Sequence, residues 1–443
     1  IYLSNIDYIQ ITGAGLSAGS NQLAYYSVTT SGDFGTVAIS PQQDYYAKGS
    51  TVTLTPTANS GYAFDVWYGQ TTSGDFVAST AASYSFTISQ DVTVAAHFIP
   101  TSYTKESDMV GYATLTADEA VATYTISGGA GGETISIASL SEMESNKDKL
   151  SGDTPYIVEV TGTVTTADNK SVYYTIGSNK TVYSADGSGR FKNVEIRVAG
   201  KNVIIRNLKL GEVIAYDTYS GTGNDALSLN GAQHVWVDHC EFQSHLTPQN
   251  NVTGETITND SDADFKKDFY DGLLDLKNGA SWVTVSNCSF HDHWKAFLCG
   301  SGDDHDDGDS DMRLTVVGCY FTNINSRQPL FRWGKAHIYN NYFYAPSGSD
   351  VYHSANCIDV RAESEVFAEA NYFSGVKNAI GQNLGGSGGT AGTYRISNNV
   401  LDDCTNEPTA GTSSYAPAYV YTAAAASTDA ATAAGASLTG LSY

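Results

Sequence analysis

One eight-residue pattern recurs seven times along the chain and limits what it can fold into. In order it reads VIIRNLKL, VWVDHCEF, VTVSNCSF, LTVVGCYF, AHIYNNYF, VFAEANYF and YRISNNVL. Its closing residues, Leu210, Phe242, Phe290, Phe321, Phe343, Phe373 and Leu401, lie 32, 48, 31, 22, 30 and 28 residues apart. Alternating β-branched and aromatic residues mark each copy as a short strand. A strand returning after about 22 residues plus variable insertions is the signature of a coiled solenoid whose turns carry loops. The expected fold class is therefore all-β, a right-handed parallel β-helix, with handedness following the rule for parallel crossovers.

Stacked coils align equal positions into ladders. The closing residues form an aromatic or leucine ladder. Two residues earlier stand Leu208, Cys240, Cys288, Cys319, Asn341, Asn371 and Asn399. Thiols pack in a narrow core, and stacked amides hydrogen-bond from coil to coil. The reading favours buried free thiols there, although neighbouring coils also bring two cysteines within disulfide reach. All six cysteines together permit 15 pairings, and none forms the CxxC spacing of a zinc site. A helix is expected near 139–150, where Ser139 and Glu142 form a capping box.

The chain carries 47 acidic against 23 basic residues, a net charge of −24. That balance argues against nucleic acid, whose binding is dominated by basic contacts to phosphate. It also repels an acidic polysaccharide unless a metal ion or a local basic patch intervenes. No stretch approaches the roughly 20 apolar residues of a membrane span. Little Lys, much Thr, Ser, Asn and Tyr, and a start at Ile1 rather than Met suit a secreted, extracellular protein. A monomer is expected.

Polar residues break the strand pattern in three places. Asp225 and Asp275 precede their closing residues by 17 and 15 positions, so they fall one strand earlier in consecutive coils, with Asp271 at the edge. Three converging carboxylates suit a hard cation, above all Ca²⁺; solvated surface acids are the alternative. Lys295 and the pair Arg327 and Arg332 fall on the following coils, a cationic partner for an anionic ligand. Pro329 between the arginines lacks a donor and marks an edge or bend. His239 reads as structural, and His291 and His293 offer a weaker zinc or acid–base alternative. The run GDDHDDGDSD at 302–311 reads as a solvated acidic loop, with a further calcium site as alternative.

Residues 111–443 resemble the pectate lyases of polysaccharide lyase family 1. The likeness is carried by SGGAGGETISI, PYIVEVTGTV, NVIIRNLKL, VWVDHCEF, DGLLDLKNGASWVTVSNCSF and SRQPLFRWGKAHIYNNYF, the last with the R-x-P-x-x-R pattern of Arg327, Pro329 and Arg332. Residues 34–98 resemble a divergent internalin-type bacterial repeat, a small β-grasp-like module within an N-terminal accessory region of residues 1–100; a spacer follows at 99–110. The lyase resemblance implies Asp225, Asp271 and Asp275 as Ca²⁺ ligands and Lys295 and Arg332 as contacts to substrate carboxylates. It implies Arg327 as the base. Relatives often have Glu at the position of Asp271, and a D-G-D triplet where this chain has Gly223-Asn224-Asp225. Trp294 and Trp333 are expected as cleft walls. The implied reaction is β-elimination on polygalacturonate, favoured at alkaline pH because a guanidinium ordinarily holds its proton. A pectin lyase acting on methylated pectin and a non-catalytic carbohydrate-binding solenoid are the rival readings.

Overall fold

The repeat is not one strand but two, meeting at a corner. The computed structural model describes residues 25–31, 35–59, 62–71, 74–79, 81–100, 109–115, 124–219, 221–346, 356–385, 389–408, 411–419, 421–436 and 438–443. In the first copy, Lys201–Arg206 ends at Asn207 and Lys209–Gly211 begins on a second face. Asn207 is left-handed at φ 58°, as are His239, Asn287, Gly318, Asn340, Ala370 and Asn398 in the later copies. Asn and Gly tolerate that conformation best, which is why they dominate the position. A period of two cannot reveal such a corner, because alternation continues on both sides of it.

The chain divides into two compact units, 1–102 and 103–443. The larger is a right-handed parallel β-helix with three faces. Ten strands stack on the first, from Glu133–Ile137 to Thr393–Ser397, and each pairs in parallel with its neighbours. The second face runs from Thr163–Thr165 to Val400–Asp402, and the third from Val172–Ile176 to Asn378–Gln382. Every closing residue of the repeat lies opposite the next one, from Leu210 through Phe373 to Leu401. Val164 and Phe191 extend the ladder by two earlier coils, in strands too short to show the pattern in sequence.

The coil rise sets the packing. Phe242, Phe290, Phe321, Phe343 and Phe373 stack with ring centroids 4.6 to 4.9 Å apart and planes within 10°, matching the spacing of paired strands. Beside them, Cys240 N–H donates to Cys288 Sγ and Cys288 N–H to Cys319 Sγ, each at 3.4 Å. The series continues in oxygen: Cys319 N–H to Asn341 Oδ1 at 2.8 Å, then Asn341 Nδ2 to Asn371 and Asn371 Nδ2 to Asn399. None of the six cysteines is in a disulfide, which closes the disulfide alternative.

Helix Leu140–Ser151 inserts Met143 and Leu150 into the N-terminal end of this core. Ser139 accepts from Glu142 N–H, and Glu142 Oε2 accepts from Ala138 N–H at 2.6 Å. The first face is covered outside by residues 109–115 and by the C-terminal segment, through Tyr112, Trp236, Tyr415, Tyr419 and Leu441. The third face carries the polar residues that follow.

The smaller unit has a four-stranded and a three-stranded sheet around Tyr46, Val52, Leu54, Trp67, Ile88 and Val94. Residues 1–24 and 101–108, including most of the expected spacer, lie outside the described residues.

Candidate active site

On the strand Leu274–Lys277, Leu274 and Leu276 fill the core, so alternation sends Asp275 and Lys277 out of the third face. Asp275 lies opposite Ser228 of the preceding coil. Asp225 stands two residues before that coil's strand, Leu227–Asn230, and accepts Gly272 N–H at 3.1 Å. A Cβ at Gly272 would fall 2.5 Å from Asp275 Oδ1 and 2.6 Å from Asp225 Oδ1. Glycine is required there by close approach: both oxygens converge on one spot.

Asp225 and Asp275 are 2 and 3 % exposed. Burial, and then the Asp275 charge, push the Asp225 carboxyl well above the usual range. Burial likewise raises Asp275, against the opposing pull of Lys277. Two buried acids that resist ionising together are a site awaiting positive charge. Part of it comes from Lys277, whose Nζ lies 2.8 Å from Asp275 Oδ2 and 3.3 Å from Asp225 Oδ2. Among the described residues, Asp275 Oδ1 has no hydrogen-bond partner. Among the described residues, no three His, Cys, Asp or Glu side chains form a ready-made metal cluster. The donor set nevertheless fits a hard cation: all oxygen, carboxylate-rich, and with an orphaned buried oxygen aimed into the cradle.

Asp271 is held at the edge. Its Oδ1 pairs with Lys295 Nζ at 3.0 Å, and Lys295 also pairs with Asp268 at 2.7 Å. Burial raises the Asp271 pKa, but Lys295, with smaller contributions from Lys277 and Arg327, makes the net shift downward. His293 steadies the backbone, donating from Nε2 to the Asp271 carbonyl at 2.8 Å while Ser244 hydrogen-bonds Nδ1. Burial pushes His293 down to about 4, so the ring is neutral and suited to this bridging role. A zinc or acid–base role for it has no support in this geometry.

The strands Ser289–Lys295 and Tyr320–Ser326 have seven residues where most on that face have three. Left-handed residues Asp292 and Asn323 turn them, and register places Lys295 opposite Ser326. Arg327 follows at φ 62°, its carbonyl accepting Phe297 N–H at 2.8 Å. Among the described residues its guanidinium has no hydrogen bond or ion pair, yet its charge reaches Asp271, helping to lower its pKa, and Asp275, opposing the rise there. Pro329 sits in the bend before Leu330–Arg332.

Arg332 is already engaged, with Nε 2.7 Å from Asp303 Oδ1 and a terminal nitrogen 3.1 Å from Gly300 O. Asp303 also holds Arg361 at 2.5 Å. Burial raises the Asp303 carboxyl, and its two arginine hydrogen bonds bring it down to about 2. The acidic loop is thus not merely solvated. Asp309, fully buried, accepts N–H groups of Gly279 and Ser301. Trp294 and Trp333 tie loops down through indole N–H bonds to Leu246 O and Gly302 O at 3.0 and 2.9 Å. His239 is structural, paired with Asp238 at 2.7 Å.

Sequence reasoning missed Lys277, Asp268 and Arg361 as parts of this site, and had His293 only as a weaker zinc or acid–base alternative and Asp303 only as part of the acidic run. Only Lys277 carried a local signal, standing two residues beyond Asp275 on one strand face.

The profile of the pectate lyase family matches residues 80–442. The chain belongs to the pectate lyase family. The divergent InlB B-repeat domain profile matches residues 26–102. Among family relatives, probable pectate lyase A of Aspergillus flavus is 37 % identical over 236 residues, 53 % of this chain and 63 % of that protein. The chain thus spans less than two thirds of that relative. Pectate lyase A of Aspergillus niger is 35 % identical over 277 residues, 62 % of this chain and 72 % of its own. Two solved pectate lyase structures share the fold. A Bacillus enzyme in complex with trigalacturonate has 25 % identity and a TM-score of 0.56, covering 74 % of this chain and 99 % of that one. Pectate lyase II of Xanthomonas campestris has 26 % and 0.55, covering 74 and 98 %.

Proposed function

We propose that the chain is a secreted, calcium-dependent pectate lyase cleaving 1,4-linked polygalacturonate by β-elimination, with Arg327 removing the C5 proton. The observation that carries this reading is the pairing of a buried carboxylate cradle with an Arg327 guanidinium that has no partner among the described residues. A Ca²⁺ ion held by Asp225, Asp271 and Asp275 would neutralise a uronate carboxylate and so acidify the adjacent C5 proton.

The chain's own residues do the rest. Lys295 has three donors and uses two on Asp268 and Asp271, leaving one for substrate. Arg332 keeps donors beyond those given to Asp303 and Gly300 and can receive a second carboxylate. Both stabilise the charge that develops at C5. Arg327 in its neutral form takes the C5 proton. The C5–H electron pair becomes the C4–C5 double bond, the C4–O bond breaks, and the leaving oxygen takes up a proton.

A calcium-titrated assay on polygalacturonate and on highly methylated pectin, following ultraviolet absorbance of the unsaturated product end, tests this. Activity on polygalacturonate that EDTA abolishes is expected. EDTA-insensitive activity on methylated pectin would favour a pectin lyase, and no unsaturated product at all would leave a carbohydrate-binding solenoid.

A further inference from the structure

The carboxylate cradle comes with its own cation. Lys277 bridges Asp275 and Asp225 through Oδ2 of each, at 2.8 and 3.3 Å. The two Oδ1 atoms face Gly272 instead. The ammonium therefore engages the same two carboxylates a divalent cation would use. Of the neighbouring cations, Lys295 is committed to Asp268 and Asp271. Arg327 makes no ion pair among the described residues.

We infer that Lys277 is the internal counter-ion of the cradle: a divalent cation binds Asp225 and Asp275 by displacing its ammonium, and the displaced ammonium is then available to a carboxylate of the polyuronate chain. This inference rests on the calcium reading above.

The physical case has three parts. Two buried carboxylates ionise together only beside a counter-charge, and Lys277 already supplies one at 2.8 and 3.3 Å, so an incoming cation meets an occupied cradle rather than a neutral hole. Lys277 can leave, because its side chain is 30 % exposed on a flexible four-carbon stem, whereas the carboxylates it bridges are 3 and 4 % exposed. Once displaced, it faces an acidic protein, and a polyanion supplies the opposite charge it has lost. Cation and polyuronate then strengthen each other's binding, and the effect is reciprocal by linkage.

Calorimetric titration of the substrate-free protein with Ca²⁺ tests the competition without reading activity. Lys277→Met and Lys277→Gln, which remove the charge, are expected to bind Ca²⁺ about tenfold tighter than wild type. Lys277→Arg, which keeps it, should stay near the wild-type value. In the unaltered protein, reductive methylation of Lys277 mapped by mass spectrometry should rise several-fold when Ca²⁺ is added. Unchanged or weaker Ca²⁺ binding in both neutral variants, or labelling that ignores Ca²⁺, would overturn the counter-ion role while leaving the calcium site standing. No saturable Ca²⁺ binding in wild type and neutral variants alike, or binding that Asp275→Asn leaves intact, would overturn the calcium reading and this inference with it.

Discussion

Arg327 and Arg332 are five residues apart and chemically alike, yet their surroundings separate them. Arg327 has no partner among the described residues; Arg332 is bound to Asp303 and Gly300. Replacing Arg327 with Lys should therefore lower kcat at least about a hundredfold, the upper part of the range for a positioned proton-transfer group, with KM changing far less. A fewfold loss in steady-state assays would demote the base assignment. Asp303→Asn acts differently. It keeps the shape but removes the charge that orders Arg332 and Arg361. KM on polygalacturonate should rise about threefold to tenfold with kcat nearly intact, and the same kinetics would expose a catalytic role if kcat fell instead.

Elements matter here as stacks rather than as single strands. The Phe290 ring lies 4.7 Å from both Phe242 and Phe321 and is fully buried. Phe290→Ala should cost about 3–5 kcal/mol by chemical denaturation, because the rings above and below are pinned by strand pairing and cannot close the gap. On the outer side of the same face, His291 reaches Glu241 at 3.5 Å and Asp292 at 2.8 Å. Burial lowers the His291 pKa, but hydrogen bonds to Asp292 and Glu241 outweigh it and bring the value to about 9. A raised value means the stabilisation is complete below the ordinary histidine pKa and disappears as pH climbs through about 9. Tm should fall between pH 6.5 and 9.5 by the equivalent of about 1 kcal/mol, and His291→Asn should flatten that slope. An unaltered slope in the variant would assign the effect elsewhere.

At the scale of the whole molecule, the two units have separate hydrophobic cores, one around Trp67 and one along the helix axis. Units with their own cores can unfold independently. Calorimetry should show two transitions, the smaller from residues 1–102, and residues 103–443 expressed alone should keep the larger. A single merged transition would mean the units stabilise each other. The net charge of −24 belongs to this scale too: on the proposed reading, an acidic protein meets an acidic polymer through a small cationic cluster and a divalent ion.

The sequence by itself determined the solenoid and its inner ladders. Equal positions in successive coils must stack at the coil rise, so a repeated Phe, Cys or Asn predicts its own neighbour. It also marked Asp225 and Asp275 by their similar offsets, 17 and 15 residues, before the closing residues of consecutive coils, and the paired arginines by their spacing within one short segment. It did not show the corner inside each repeat, where alternation runs through a left-handed residue without changing phase. Only the tertiary structure decided which cation answers which carboxylate. Lys277 meets Asp225 across 52 residues, and Asp303 holds Arg332 and Arg361 across 29 and 58. Those separations depend on the lengths of the inserted loops. Coulomb attraction selects partners by distance in space, and local spacing does not encode that distance.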